Sequence, residues 1–216
     1  MLSQNKMAQL HVYTGPMASG KTSSLLSAIH KYSNVVKERV LLVNFLGDDR
    51  GTSGSTHEDS DMRTPNGTPN GVSTHQYGDY NLKIPLGIYV DPVRVSSLAE
   101  LSDELISRYS VIGIDEAHFY PDLKEFIEKN FRKKDLIIYV SGLSYDSSNN
   151  KFGEVADLLP LATSFEKMNA ICAACKPHAM VPAGFTFCNE AKDSVVKIGG
   201  LEMYSPRCAY HYFGGD

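Results

Sequence analysis

Eight consecutive residues, Gly15-Pro16-Met17-Ala18-Ser19-Gly20-Lys21-Thr22, follow one pattern: a glycine, four free positions, then Gly-Lys-Thr. That pattern suits the wrapping of a polyphosphate. The glycines let backbone N–H groups curl around phosphate oxygens, and a helix starting there adds partial positive charge. Lys21 is placed to reach the β- and γ-phosphates, and the Thr22 hydroxyl to ligate Mg²⁺. Further along, the apolar run Val111-Ile112-Gly113-Ile114 ends in two carboxylates, Asp115 and Glu116. Phosphoryl transfer needs an acid at a nearby strand end to hold Mg²⁺, and Asp115 fits that place. Glu116 is then free for a second task. It would activate water in an ATPase, or take a proton from a substrate hydroxyl in a kinase. Asp115-Glu116-Ala117-His118 also spells a helicase box, but such motors need two motor domains, and 216 residues do not hold both.

The four cysteines, Cys172, Cys175, Cys188 and Cys208, fall in the last fifth of the chain. Clustered cysteines beside a histidine suggest metal rather than disulfides. Cys172-x-x-Cys175 and Cys208-x-x-His211 are two ligand pairs separated by 32 residues. Together they supply four ligands for a closed, structural Zn²⁺ site. Cys188 and His178 lie between the pairs as possible substitutes.

These residues need elements to hold them. Leu10–Tyr13, Val40–Val43, Val111–Ile114 and Leu136–Val140 read as buried strands. Lys21 to Tyr32, Leu98 to Ile106 and Asp122 to Phe131 carry apolar residues at helical spacing. Apolar strands alternating with amphipathic helices imply a parallel α/β sheet built of βαβ units. The span 47–81 has only Met62, Val72, Tyr77 and Tyr80 as apolar residues against six glycines, so it reads as a long flexible loop. The expected division is a nucleotide-binding domain over 1–168 and a zinc module over 169–216.

Composition narrows the partners. Lysine plus arginine number 21 and aspartate plus glutamate 25, for a net charge of −4, which gives no general pull toward nucleic acid or anionic membrane. Neither a secretory leader nor a membrane-spanning run is visible, so a cytoplasmic protein is expected.

Taken together and in order, these motifs resemble the type II thymidine kinase family. Its phosphate loop reads close to Gly-Pro-Met-Phe-Ser-Gly-Lys-Thr. Its acidic motif, Asp-Glu-Ala/Gly-Gln-Phe-Phe-Pro-Asp, is similar to Asp115-Glu116-Ala117-His118-Phe119-Tyr120-Pro121-Asp122. Asp48-Asp49-Arg50, Thr74-His75, the run from Leu158 into Cys172, and Ile198-Gly199-Gly200 with Tyr204 also match. The resemblance leaves out residues 51–72. It implies a P-loop NTPase-type parallel sheet flanked by helices, with a small C-terminal zinc-binding lasso domain. It also implies transfer of the ATP γ-phosphate to the 5′-hydroxyl of thymidine, or of a deoxyuridine-type nucleoside.

On that resemblance, residues 15–22 and Asp115 bind Mg-ATP, Glu116 is the base, and Arg50 sits near the transferring phosphate. Phe119 and Phe152, which by residue type alone read as core aromatics, would line the base pocket. Backbone around Val195, Ile198 and Gly199, with Tyr204, would grip the base. A homotetramer and feedback inhibition by thymidine triphosphate are further expectations. The chain departs from the family at His118 (glutamine there), at Ala18, and in Ser144–Asn150, which lacks an arginine. A threonine expected to face the pyrimidine is absent from Met180-Val181-Pro182. Two other readings share the phosphate loop: an ATPase acting on a macromolecule, and a non-catalytic nucleotide-binding regulator.

Overall fold

The structure, a computed structural model, describes residues 8–46, 71–77, 80–85, 90–133, 135–189 and 203–214, with 71–77 and 80–85 described by backbone alone. Its centre is a six-stranded, wholly parallel sheet. The strands are β1 (Gln9–Thr14), β2 (Val40–Phe45), β5 (Val90–Val95), β6 (Val111–Ile114), β7 (Ile137–Gly142) and β8 (Ser164–Lys167), in the spatial order β5-β2-β6-β7-β1-β8. The central strands are apolar on both faces because both faces are covered. Val40, Leu42, Val111 and Tyr139 pack beneath α1 (Lys21–His30) with Leu25, Leu26 and Ile29. Leu41, Val43, Ile112, Ile114, Ile138 and Val140 point the other way, toward α3 (Leu123–Asn130) and its Leu123, Phe126 and Ile127. Gly113 lets α1 lie close, since a Cβ there would come within 3.3 Å of Ile29.

Three expected elements differ. The helix expected over Leu98–Ile106 is broken into a tight turn at Leu98–Glu100 and the short α2 (Asp103–Ile106). Ser97 and Ser102 each cap a new start, accepting from the Ala99 and Leu105 amides, so side-chain oxygens take donors that a continuous helix would have used. α1 does not stop near Tyr32 but widens into a π-type segment, Lys31–Val36. The end of the span read as a loop over 47–81 carries an antiparallel ribbon, β3 (Gly71–Tyr77) with β4 (Tyr80–Pro85). Alternating β-prone residues on either side of Gly78-Asp79 supply the hairpin signal.

The sheet ends at Lys167, and a smaller unit begins at Ala170. It contains β9 (Ala170–Ile171) paired with β10 (Pro182–Ala183), the hairpin β11 (Phe185–Cys188) with β12 (Tyr204–Arg207), and α4 (Ala209–Tyr212). Among the described residues no helix is long and apolar enough to cross a membrane.

Candidate active site and metal centre

The strand order brings the carboxyl ends of β1, β6 and β7 to one edge, where ligands of open parallel sheets bind. The phosphate loop follows β1, the acidic pair follows β6, and the loop 143–153 follows β7.

The phosphate loop is held in a shape only certain residues permit. Gly15 has φ 147° and Gly20 φ 84°, and Ala18 is also left-handed at 58°. A Cβ on Gly15 would lie 2.4 Å from the Met168 carbonyl oxygen, so glycine is required there. Lys21 Nζ donates to the Pro16 carbonyl at 2.7 Å and to Ser19 Oγ at 3.4 Å, curling over the loop that would hold phosphate. Thr22 Oγ1 donates to Asp115 Oδ1 at 3.1 Å. The Glu116 amide donates to the same oxygen at 3.0 Å, and the Ser141 hydroxyl makes a further short contact with it. Burial and the neighbouring Glu116 charge push the Asp115 carboxyl up to about 6, against the pull of these three donors. A buried carboxylate beside a threonine hydroxyl on the phosphate loop is the oxygen-donor set a hard divalent cation takes.

Glu116 sits in the left-handed region, at φ 49°. Such strain in a residue other than glycine clusters at functional sites. Beyond it, Phe119 and Phe152 do come together, edge to face with centroids 5.8 Å apart. His118 lies against both, 4.2 Å from Phe119 and 4.7 Å from Phe152. Phe45, at the end of β2, stacks on Phe119 at 4.9 Å.

Arg50, Val195, Ile198 and Gly199 lie outside the described residues. Tyr204 is described, at the start of β12 opposite Cys188. A threonine does reach the site, four positions beyond Pro182. Buried Thr186 accepts from the Met17 amide of the phosphate loop at 3.0 Å. Thr186, Ser141 and Phe45 were not read from the sequence. The alternation Phe185-Thr186-Phe187-Cys188 is a strand signal, but nothing local says where that strand docks.

Cys172, Cys175, Cys208 and His211 converge, with all four ligand atoms within 4.8 Å of one another. His211 Nδ1 is 3.6, 3.4 and 3.3 Å from the three sulfurs, and the Cys175 and Cys208 sulfurs are 3.9 Å apart. A tetrahedral ion with Zn–S of about 2.3 Å and Zn–N of about 2.0 Å sets its ligands roughly 3.5–3.8 Å apart, so the cluster fits zinc. Burial opposes ionisation of Cys172, yet amides of Cys208, Ala174 and Cys175 outweigh it and bring the thiol down to about 6. Cys188 and His178 are not in the cluster; Cys188 sits in β11 and His178 in an exposed turn.

The family model described as thymidine kinase matches residues 8–77 and 72–212. The chain belongs to the thymidine kinase family. Thymidine kinase of Oryza sativa is 32% identical over 208 residues, which is 96% of this chain and 67% of that protein. Cytosolic thymidine kinase of Gallus gallus is 30% identical over 205 residues, 95% of this chain and 77% of the relative. Fowlpox virus thymidine kinase is also 30% identical over 205 residues, covering 94% and 96%. The chain is accordingly a divergent thymidine kinase, and the edge that gathers Lys21, Asp115 and Glu116 is its candidate active site.

Proposed function

We propose that this enzyme transfers the γ-phosphate of Mg-ATP to the 5′-hydroxyl of thymidine, or of a closely similar deoxynucleoside, giving the 5′-monophosphate. The observation that carries the reading is the Thr22–Asp115 pair at the foot of the phosphate loop, with Glu116 the next residue along. Amides of residues 15–22 and the Lys21 ammonium cradle the triphosphate. Thr22 and Asp115 hold Mg²⁺, which when bound neutralises phosphate charge. Glu116 accepts the proton from the nucleoside hydroxyl as that oxygen bonds to the γ-phosphorus and the bond from that phosphorus to the β,γ-bridging oxygen breaks, releasing ADP. Phe119 and Phe152 flank the base, and Phe45 supports Phe119 from below. The lasso residues Val195, Ile198, Gly199 and Tyr204 grip the base edge, and Arg50 meets the transferring phosphate. Zinc at Cys172, Cys175, Cys208 and His211 shapes the smaller unit, and its closed ligand set gives it a structural part.

The test is product formation from Mg-ATP and a nucleoside panel. Phosphorylated thymidine or deoxyuridine, with no ATP loss in their absence, is expected. Glu116→Gln should bind ATP normally yet lose about 10²–10⁴-fold in turnover, the usual share of a general base. ATP consumption stimulated by a polynucleotide and indifferent to nucleoside would instead favour an ATPase.

A further inference from the structure

His118 stands in the middle of the site with no part in the reaction as proposed. Its side chain is 2% exposed, against 14% for Glu116. The Leu143 N–H donates to Nδ1 at 3.1 Å. That nitrogen therefore presents a lone pair, and in the neutral ring the hydrogen sits on Nε2. Nε2 lies 3.6 Å from Glu116 Oε2. The ring is closely packed. Phe119 and Phe152 flank it, and Gly153 presses on its backbone, where a Cβ would fall 2.3 Å from the His118 carbonyl oxygen.

We infer that His118 is the positioning residue for the Glu116 carboxylate, locked by the Leu143 amide so that its Nε2–H is aimed at one carboxylate oxygen. This rests on the reading of Glu116 as the base. The backbone at Glu116 is pinned in a left-handed conformation, but its side chain still has three torsions. A donor held toward Oε2 narrows that freedom and sets how the carboxylate faces the substrate hydroxyl. Contacts of this kind tighten when substrate closes the site. Leu143 opens the loop that ends at Phe152, so one ring ties the base to the loop bearing a pocket wall. The glutamine that the family resemblance places here offers the same two atoms. Its amide oxygen can accept from Leu143, and its NH₂ can donate to Glu116.

Methionine and glutamine are close in length and volume and differ in these hydrogen bonds, so they isolate the claim. The experiment is steady-state thymidine phosphorylation by the full chain, comparing wild type, H118Q, H118M, H118F and E116Q, and H118M and H118F each combined with E116Q. The expected result is a kcat drop of about 10–100-fold for H118M and H118F, part of the general-base share, with ATP affinity unchanged. H118Q should recover most of that loss. In the E116Q background neither H118M nor H118F should cost more than about twofold, because groups acting as a unit are not additive. Metal content and thermal midpoint identify folded variants, and H118F serves if H118M does not fold. Normal kcat in H118M or H118F, or an equal loss in both backgrounds, overturns the inference while leaving the base intact. Normal turnover in E116Q overturns the base reading, and the inference with it.

Discussion

The Thr186 hydroxyl accepts a hydrogen bond from the Met17 amide at 3.0 Å, joining the crest of the phosphate loop to a hairpin 169 residues further on. The hairpin is braced in turn. Phe185 stacks on Tyr212 at 4.6 Å, one residue past His211 of the Cys/His cluster, and the Tyr212 hydroxyl donates to the Ser147 carbonyl at 2.9 Å. The smaller unit thus touches the phosphate loop and the loop bearing Phe152. Replacing Thr186 with valine keeps the shape and orphans a loop amide, at a cost of about 1–3 kcal/mol. The expected outcome is a KM for ATP raised about 5- to 100-fold, with zinc content unchanged and Thr186→Ser near wild type. Unaltered ATP kinetics in the valine variant would show the loop holds its shape alone.

One zinc per chain is expected by elemental analysis. Cys172→Ser should lose it together with the stable fold of the smaller unit's described strands and helix, because the binding energy of a closed site is folding energy. Cys188→Ser should retain both, since Cys188 stands outside the cluster. Metal retained in the first variant and lost in the second would reverse the ligand assignment.

Asp122 carries a pH-dependent share of stability. Burial alone would raise its carboxyl, but the Ser97 hydroxyl at 2.6 Å and the Ala99 and Leu98 amides at 2.8 and 3.3 Å outweigh that and hold it below the usual range. The ionised form is the one the fold prefers. Its contribution is therefore complete above the unfolded value near 3.8 and is lost as pH falls through the lower folded value. Asp122→Ala should cost about 1.5–3 kcal/mol at neutral pH, the range for hydrogen bonds to a charged group. The deficit relative to wild type should shrink below pH about 4. A deficit in the denaturation midpoint that is constant from pH 7 to pH 3 would rule this out.

What the sequence made legible follows from where the physics is local. Strands β2, β6 and β7 were readable because each is covered on both faces and so carries a continuous apolar run, and β1 because Leu10, Val12 and Tyr13 stand directly before the turn at Gly15. The edge strands were not. β5 reads Val-Asp-Pro-Val-Arg-Val, and β8 reads Ser-Phe-Glu-Lys. An edge tolerates proline and charge because one side has no strand to pair with. The phosphate loop and the cluster of Cys172, Cys175, Cys208 and His211 were readable because each is written in short, local spacings. Thr186 escaped, and His118 is legible only as a departure from the family's glutamine, because their partners, Met17 and Leu143, are set by how distant loops meet.

Tyr120 offers a last check on the fold around the acidic motif. Its side chain is fully buried, and its hydroxyl has no hydrogen-bond partner among the described residues. Burial first, and then the charges of Asp115 and Asp122, push the phenol far above its ordinary range, so it stays neutral and keeps its hydrogen. A buried donor with no acceptor costs more than a hydrogen bond returns, about 1–3 kcal/mol. The resembling motif carries phenylalanine at this place, and the ring here already packs edge-on to Phe45 at 5.5 Å. Tyr120→Phe removes the hydroxyl and keeps that packing. The expected outcome is a gain of roughly 1 kcal/mol, read as a thermal midpoint raised by about 2–4 °C for a chain of this size. A lowered midpoint would mean the hydroxyl has a partner whose loss outweighs the relief, and would assign Tyr120 a place in the hydrogen-bonding of the site.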